Sequence, residues 1–285
     1  MKRLALVALA VIFVSACTAA RPGSFLAKVK EDVERTNVDA REDLPVVFGM
    51  IYELPGLRLN GITYRKEPPY SLEARLTPHK VTLDYGTATV SITTFYPLER
   101  QKFVQPTGSM EVMGTTSIVY GDDWCQWFNG SDLYEVSAED PLRMASLVLA
   151  SRQRIDPKNY KFLGFYNSLP IPDKETNLIE IMIESHGEDR FTQGTYTKAD
   201  EDSTVQISIA KGRDFPPLDN PRPKILGGRE FLSGYTDGKY ALVRNGYPVS
   251  VIVETDSMFA VANGPQMERL AADVVARIIA NVTAE

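Results

Sequence analysis

The sequence predicts an α+β fold made of two tandem copies of one antiparallel-sheet-plus-helix module, with a shared central helix and a C-terminal helix. Three observations support this fold class: an internal repeat with an offset of about 115 residues, period-two alternation in both copies, and three segments with helix start signals. The expected boundaries are 41–154 for the first repeat and 155–285 for the second.

The repeat is found by displacing the chain by 115 residues, which aligns positions 49–122 with positions 164–237 without a gap. This alignment contains 13 identities over 74 positions, whereas average composition predicts roughly four or five. Tyr120 and Asp122 fall on Tyr235 and Asp237, and these four polar side chains are candidate binding residues.

Strands are predicted where apolar and polar residues alternate, at 72–76, 89–92 and 205–209. Asn129-Gly130 and Asn245-Gly246 lie between apolar runs, and this dipeptide is the strongest short-range hairpin signal. Each copy is therefore expected to be an antiparallel sheet whose last two strands form a hairpin.

Helices are predicted at 25–36, at 141–154 and at 264–281, the last two starting at Asp-Pro and Gly-Pro dipeptides. Between Leu142 and Leu149 the middle helix is apolar nearly all round. Because such a helix must be covered on several sides, we expect it to lie between the two sheets and to belong to both.

The N-terminus has the three regions of a secretory signal: Lys2 and Arg3, an apolar core at 4–14, and the run Val14-Ser15-Ala16-Cys17. The apolar core is too short to span a membrane stably. The last four residues resemble the lipobox of bacterial lipoproteins, in which diacylglycerol is attached to the cysteine thiol before cleavage. The resemblance covers about the first 20 residues.

The lipobox resemblance implies that residues 1–16 are removed, that Cys17 receives the lipid, and that 17–40 form a lipidated N-terminal segment with the first helix. Thr18 after the cysteine favours the outer membrane of a Gram-negative envelope. Two alternatives stay open: an ordinary signal peptide cleaved near Ala19, which would remove Cys17, and a disulfide between Cys17 and Cys125, the only two cysteines.

Charge excludes one class of partner. The whole chain has 31 basic and 37 acidic residues, and loss of Lys2 and Arg3 with the leader leaves 31 − 2 = 29 bases, a net charge of −8. Such a surface repels phosphate backbones, and no basic stripe with interleaved aromatic residues is present, so nucleic acid is not an expected partner.

No recognisable catalytic or metal-binding motif occurs, so no catalytic residue, metal or cofactor is predicted. The two histidines, His79 and His186, do not align in the repeat and are interpreted as solvated loop residues. Glu188, Arg190 and Thr192 lie at i, i+2 and i+4, and the same three residue types occur at 73, 75 and 77. Side chains at this spacing share one face of a strand, which favours a polar strand face with a scaffold role.

Residues 124–128, Trp-Cys-Gln-Trp-Phe, are the most unusual run, and the second copy lacks it. Alternation places Trp124 on one face and Cys125 with Trp127 on the other, so the latter two are expected in the core. Trp124 is either a core residue or an exposed anchor for a ligand or protein, since indole is enriched in binding hot spots.

Three functions remain possible. The favoured one is a membrane-anchored, non-enzymatic envelope lipoprotein that binds a protein partner or assists envelope assembly. The second is a periplasmic carrier or sensor of a small or apolar ligand, which predicts a large apolar cavity. The third is an unrecognised hydrolase, which predicts a cleft where an acid and a base converge with shifted pKa values.

Overall fold

The computed structural model describes residues 38–44, 47, 51, 53–66, 79–94, 109–130, 132–151, 161–173, 176–198, 204–246, 249–256 and 260–282. Within these residues, fourteen strands form one continuous antiparallel sheet.

The first seven strands are β1 (Gly61–Lys66), β2 (His79–Asp84), β3 (Ala88–Thr94), β4 (Ser109–Met113), β5 (Thr116–Tyr120), β6 (Trp124–Asn129) and β7 (Asp132–Ala138). The next seven are β8 (Thr176–His186), β9 (Asp189–Lys198), β10 (Thr204–Lys211), β11 (Asp219–Leu226), β12 (Arg229–Thr236), β13 (Lys239–Arg244) and β14 (Ser250–Asp256). The helices in the described residues are α1 (Pro141–Ala150), a 3₁₀ helix (Lys161–Ser168) and α2 (Ala260–Val282).

The prediction of an α+β fold made of two tandem sheet-plus-helix modules is wrong, because a single backbone ladder runs through both halves. The first half has the order β1-β2-β3-β7-β6-β5-β4, and the second has the matching order β8-β9-β10-β14-β13-β12-β11. β1 and β8 pair with each other, with Thr63 opposite Met182. Each half would otherwise end in an exposed edge strand there, and the pairing satisfies both edges at once.

Several local predictions are confirmed by the strand registers. The alternating segments at 89–92 and 205–209 lie in β3 and β10, and Asn129-Gly130 closes the β6–β7 hairpin, with Gly130 at φ +62°. The offset of 115 residues places β6 directly on β13. Asn245-Gly246 instead begins a longer connection between β13 and β14, and the strand expected at 72–76 lies outside the described residues.

The two faces of the sheet differ because one is covered by helices. On that helix-covered face, side chains of alternate strand residues form the main core, which includes Tyr64, Val136, Ile183 and Ile207. The opposite side, called here the open face, is mostly polar. In the second half the loop before β11 crosses it, where Leu218 forms a small separate cluster with apolar residues of β13 and β14.

The shared central helix is also a wrong prediction, because α1 packs on β6 and β7 of its own half. Its buried residues are Pro141, Met144 and Ala145, whereas Val148 and Leu149 stay partly exposed. The apolar character of this helix therefore reflects one packed side together with the wall of a cavity. No second sheet covers it within the described residues.

The C-terminal helix starts earlier than predicted. α2 begins at Ala260, so Pro265 lies inside it and not at its first turn. The helix packs on β14, β13, β11 and β10, and its apolar stripe is almost completely buried, including Met267, Val274 and Val275. In the second half, a 23-residue helix therefore covers β10, β11, β13 and β14.

The segment that precedes the first half crosses to the second. The backbone N–H of Ala40 donates to the Leu178 oxygen at 2.9 Å, and the N–H of Leu178 donates to Val38 at 2.8 Å. Arg41 donates to the Leu169 oxygen at 2.7 Å. The helix predicted at 25–36 and the candidate lipidation site Cys17 lie outside the described residues.

Candidate functional site

The predicted binding residues do not form one site. Tyr120, Asp122 and Trp124 belong to β5, β6 and the turn between them, while Tyr235 and Asp237 belong to β12 and the turn after it. In the strand order, eleven steps separate β5 from β12, or about 50 Å measured along the sheet. Whether any of these residues binds a partner stays a prediction.

In the unusual run 124–128, the face assignment is confirmed. Cys125 and Trp127 are buried in the core, and Trp127 stacks on Tyr134 with ring centroids 5.2 Å apart. Trp124 is partly buried on the open face, where its indole packs so closely over Gly121 that a Cβ there would lie 2.3 Å from Nε1. Trp124 is therefore held by its own turn and is not a freely projecting anchor.

Tyr235 and Asp237 have structural roles in the second half. Asp237 and Gly238 both have positive φ values, +48° and +77°, as expected for a tight hairpin turn between β12 and β13. Tyr235 is exposed at the end of β12 and makes an edge-to-face contact with Tyr240 at 5.6 Å.

Among the described residues of the first half, the most exposed large apolar ones lie on β4. This strand is at one end of the sheet and pairs with β5 on one side, while no described strand pairs with its other side. Met110 and Val112 are 68% and 60% exposed. Their positions opposite Val119 and Ser117 place both side chains on the open face.

Within the described part of the chain, β4 has backbone hydrogen-bonding groups that no strand pairs with at the same two residues. The β4–β5 hairpin closes with Met113 opposite Thr116, around a two-residue turn. In an antiparallel pair, hydrogen-bonded and non-hydrogen-bonded pairs alternate from the closing pair. The N–H and C=O groups of Met110 and Val112 therefore point away from β5, towards the outer edge.

β11, the strand at the opposite end of the sheet, shows how such an edge is blocked. Its hairpin closes with Leu226 opposite Arg229, so Ile225 and Pro223 take the positions of Val112 and Met110. Proline has no N–H to offer, and strand prolines are confined to outward-facing positions of this kind. A register shift between Asp219 and Arg222 distorts the edge further.

A polar cluster lies on the helix-covered face at the ends of β1 and β2. The Tyr64 hydroxyl donates to an Asp43 carboxylate oxygen at 3.1 Å and lies 2.5 Å from His79 Nδ1. Lys66 Nζ donates to the same Asp43 oxygen at 2.7 Å. An acid, a base and a phenol thus converge, which is the arrangement that a hydrolase would need.

Burial shifts the pKa values of two groups in this cluster. Burial raises the pKa of Tyr64 well above its usual value, and Asp43 adds to the effect. Burial, with the charge of Lys66, lowers the pKa of His79 despite the opposing effect of Asp43. Tyr64 therefore stays protonated at neutral pH and is a poor nucleophile, while the lowered pKa of His79 favours its neutral imidazole.

Cys125 is similarly unsuited to nucleophilic chemistry. Burial raises the pKa of its thiol to about 11, and Sγ donates to the Pro141 oxygen at 3.3 Å. Because the thiolate is the reactive form, the thiol is inert at neutral pH. Among the described residues, no group of three or more His, Cys, Asp or Glu side chains could hold a metal ion.

One partly open cavity, lined mostly by apolar side chains, lies between α1 and the first half of the sheet. Its volume is about 180 Å³, and Leu83, Val90, Trp127, Val148 and Leu149 contribute to its walls. The other described residues of the lining are Ile51, Leu54, Tyr85, Ile92, Asn129, Tyr134 and Ser151, and all twelve described lining residues are uncharged. The volume falls below the roughly 300–1,000 Å³ typical of drug-sized ligand sites.

Comparisons with known proteins leave the family open. No family model and no curated protein matches this chain. The crystal structure of TP0453 in crystal form I is similar with a TM-score of 0.40 and 10% identity, covering 85% of this chain and 99% of that one. A DnaN sliding clamp from Bartonella birtlesii bound to griselimycin has a TM-score of 0.13 and 12% identity, covering 83% and 68%. At these TM-scores, neither similarity bears on the fold or the function.

The sequence interpretation missed the β4 edge. Its signal is present, because Met110, Glu111, Val112 and Met113 alternate before Gly114. What the sequence could not show is that this strand comes last in the sheet.

Proposed function

We propose that this chain is a lipid-anchored envelope protein without enzymatic activity, which binds an extended segment of a protein partner along the outer edge of β4. One observation supports this binding mode most directly. At Met110 and Val112, backbone groups that no described strand pairs with occur together with exposed apolar side chains. Strand addition to a sheet edge draws affinity from main-chain hydrogen bonds and specificity from alternate side chains.

The contrast between the two ends of the sheet supports a selected binding edge. Natural sheets protect their edges with prolines, bulges and charged residues. β11 has Pro221, Pro223 and a register shift, whereas β4 has no proline and one charged residue, Glu111. An unprotected apolar edge invites aggregation unless a partner covers it.

The anchoring part of the proposal rests on the lipobox-like run that ends at Cys17. No helix in the described part of the chain is long and apolar enough to cross a membrane. In this proposal the lipid on Cys17 holds the protein to the envelope, on the outer membrane facing the periplasm.

The first prediction is that Met110→Pro abolishes partner binding. Proline removes an outward N–H of β4 while the β4–β5 pairing is kept, because residue 110 does not bond to β5. We expect wild-type protein to retain a partner from detergent-solubilised envelopes, and Met110→Pro to retain at least about tenfold less, since both hydrogen bonding and side-chain contact are lost.

Two control variants make this experiment specific. Ile225→Pro places the same change at an outward-facing position of β11 and should bind like wild type. Met110→Ala keeps the backbone N–H and should lose only part of the binding. Equal retention by Met110→Pro and wild type, with both shown to be folded by circular dichroism, would exclude the β4 edge as the docking site.

A further inference from the structure

Among the described residues, the two halves of the sheet are covered by helices of different length. α2 has 23 residues, whereas α1 has 10. In the second half, Val205 and Leu242 are buried in the same core cluster as Leu270 and Val274 of α2. In the first half the described helix ends at Ala150, and Val148 and Leu149 line the cavity at its end.

From this geometry we infer that the cavity is a binding site for a small, uncharged, mainly hydrocarbon molecule. An apolar cavity of about 150 Å³ stays dry and accepts benzene. A cavity of about 180 Å³ therefore accommodates a hydrocarbon group of about six to eight carbon atoms.

The lining residues determine the polarity of the ligand. None of the described residues that line the cavity is a Lys, Arg, Asp or Glu, so an ionised group would be desolvated there without a counter-charge from them. Asn129, Tyr134 and Ser151 contribute polar atoms among the apolar side chains. A neutral molecule with one hydroxyl, ester or amide group fits this set of contacts.

Trp127 provides a direct probe of occupancy. The chain has two tryptophans, and Trp127 lies in the cavity wall while Trp124 is on the open face. A Trp124→Phe substitution therefore leaves a single fluorophore at the cavity. Bromine quenches indole emission at short range, so a bromoalkyl ligand that enters the cavity reports its own binding.

The experiment titrates 8-bromo-1-octanol into the full chain carrying Cys17→Ser and Trp124→Phe. We expect saturable quenching of Trp127 that unlabelled 1-octanol reverses. The anionic analogue 8-bromooctanoate should require at least tenfold higher concentration. Quenching that rises linearly without saturation, or equal binding of the two probes, would overturn the inference.

Two variants test the location of the site. Val148→Phe fills the cavity and should weaken the binding of 8-bromo-1-octanol at least tenfold. Leu147→Phe makes the same kind of change on α1 outside the lining and should bind as before. If Val148→Phe does not fold, the competition by 1-octanol still decides the question. The β4 edge takes no part in any of these measurements, so this inference and the proposed function can fail separately.

Discussion

Single residues of this protein show how burial decides chemical character. The Tyr64 hydroxyl, an acid, and the His79 imidazole, a base, lie within hydrogen-bond distance of each other. Burial nevertheless shifts the pKa of each in the direction that favours its uncharged form. The sequence suggested that His79 is a solvated loop residue. It lies instead at the start of β2, within hydrogen-bond distance of Tyr64. The sequence alone could not identify β1, which carries Tyr64, as the strand that pairs with β2.

At this residue scale, we predict that His79 makes the fold sensitive to mild acid. Its folded pKa is lowered, so below its unfolded value of about 6.5 the unfolded chain binds more protons than the folded chain. The contribution of His79 to the free energy of unfolding is complete above that value and declines as pH falls towards the folded pKa.

Urea unfolding at pH 7.5 and pH 5.5 measures this effect. His79→Gln should lose less stability than wild type over that interval. His186→Gln is the matched control, because His186 is largely exposed, and it should behave like wild type. An identical pH dependence in wild type and His79→Gln would show that His79 does not contribute.

At the scale of elements, α2 combines a well-packed apolar stripe with a polar defect. Asn263 is fully buried, and neither of its side-chain amide atoms has a hydrogen-bond partner within the described structure. Gln266, one turn later, is also buried and equally unsatisfied. A buried polar group left without a partner costs about 1–3 kcal/mol.

We therefore predict that Asn263→Leu raises the free energy of unfolding by about 1–3 kcal/mol, because it replaces an unsatisfied amide with an apolar side chain of similar shape. Chemical denaturation gives the value. Asn281→Leu is the control on the same helix, since Asn281 Nδ2 donates to Ser168 Oγ at 2.8 Å, and that change should lower the stability or leave it unchanged. A destabilised Asn263→Leu would mean that the amide has a partner in solution.

For the whole molecule, the continuous ladder through β1 and β8 predicts that the two halves unfold as one cooperative unit. Val275 lies on α2 in the second half and is buried, whereas both tryptophans lie on β6 in the first half. We predict that Val275→Asp lowers the unfolding temperature reported by tryptophan emission, because an unpaired buried carboxylate costs several kcal/mol.

Val148→Asp is the comparison for this experiment. The shared-helix hypothesis required that variant to destabilise the whole chain strongly, but Val148 is only partly buried, so its effect should be the smaller of the two. If circular dichroism of Val275→Asp shows a second, lower transition while tryptophan emission is unchanged, the halves unfold independently and the single-unit description fails.

Local properties of the chain were determined by the sequence alone. The strands at 89–92 and 205–209, the Asn129-Gly130 hairpin and the core position of Cys125 and Trp127 all follow from alternation and turn chemistry, which act between near neighbours. The same strand order occurs in both halves, as the 115-residue repeat leads one to expect. Alternation alone predicts a strand at Met110 and Val112, but it does not show that this strand lies at the end of the sheet.

Only the tertiary structure decided how the halves join, which edge stays free and where a cavity remains. Pairing of β1 with β8 depends on backbone groups that every residue possesses, so no sequence pattern distinguishes one continuous sheet from two separate ones. The cavity depends on how far the short helix α1 extends over the sheet, which its apolar residues do not reveal. Edges and cavities are defined by what lies next to them in space, and that is a property of the assembled fold.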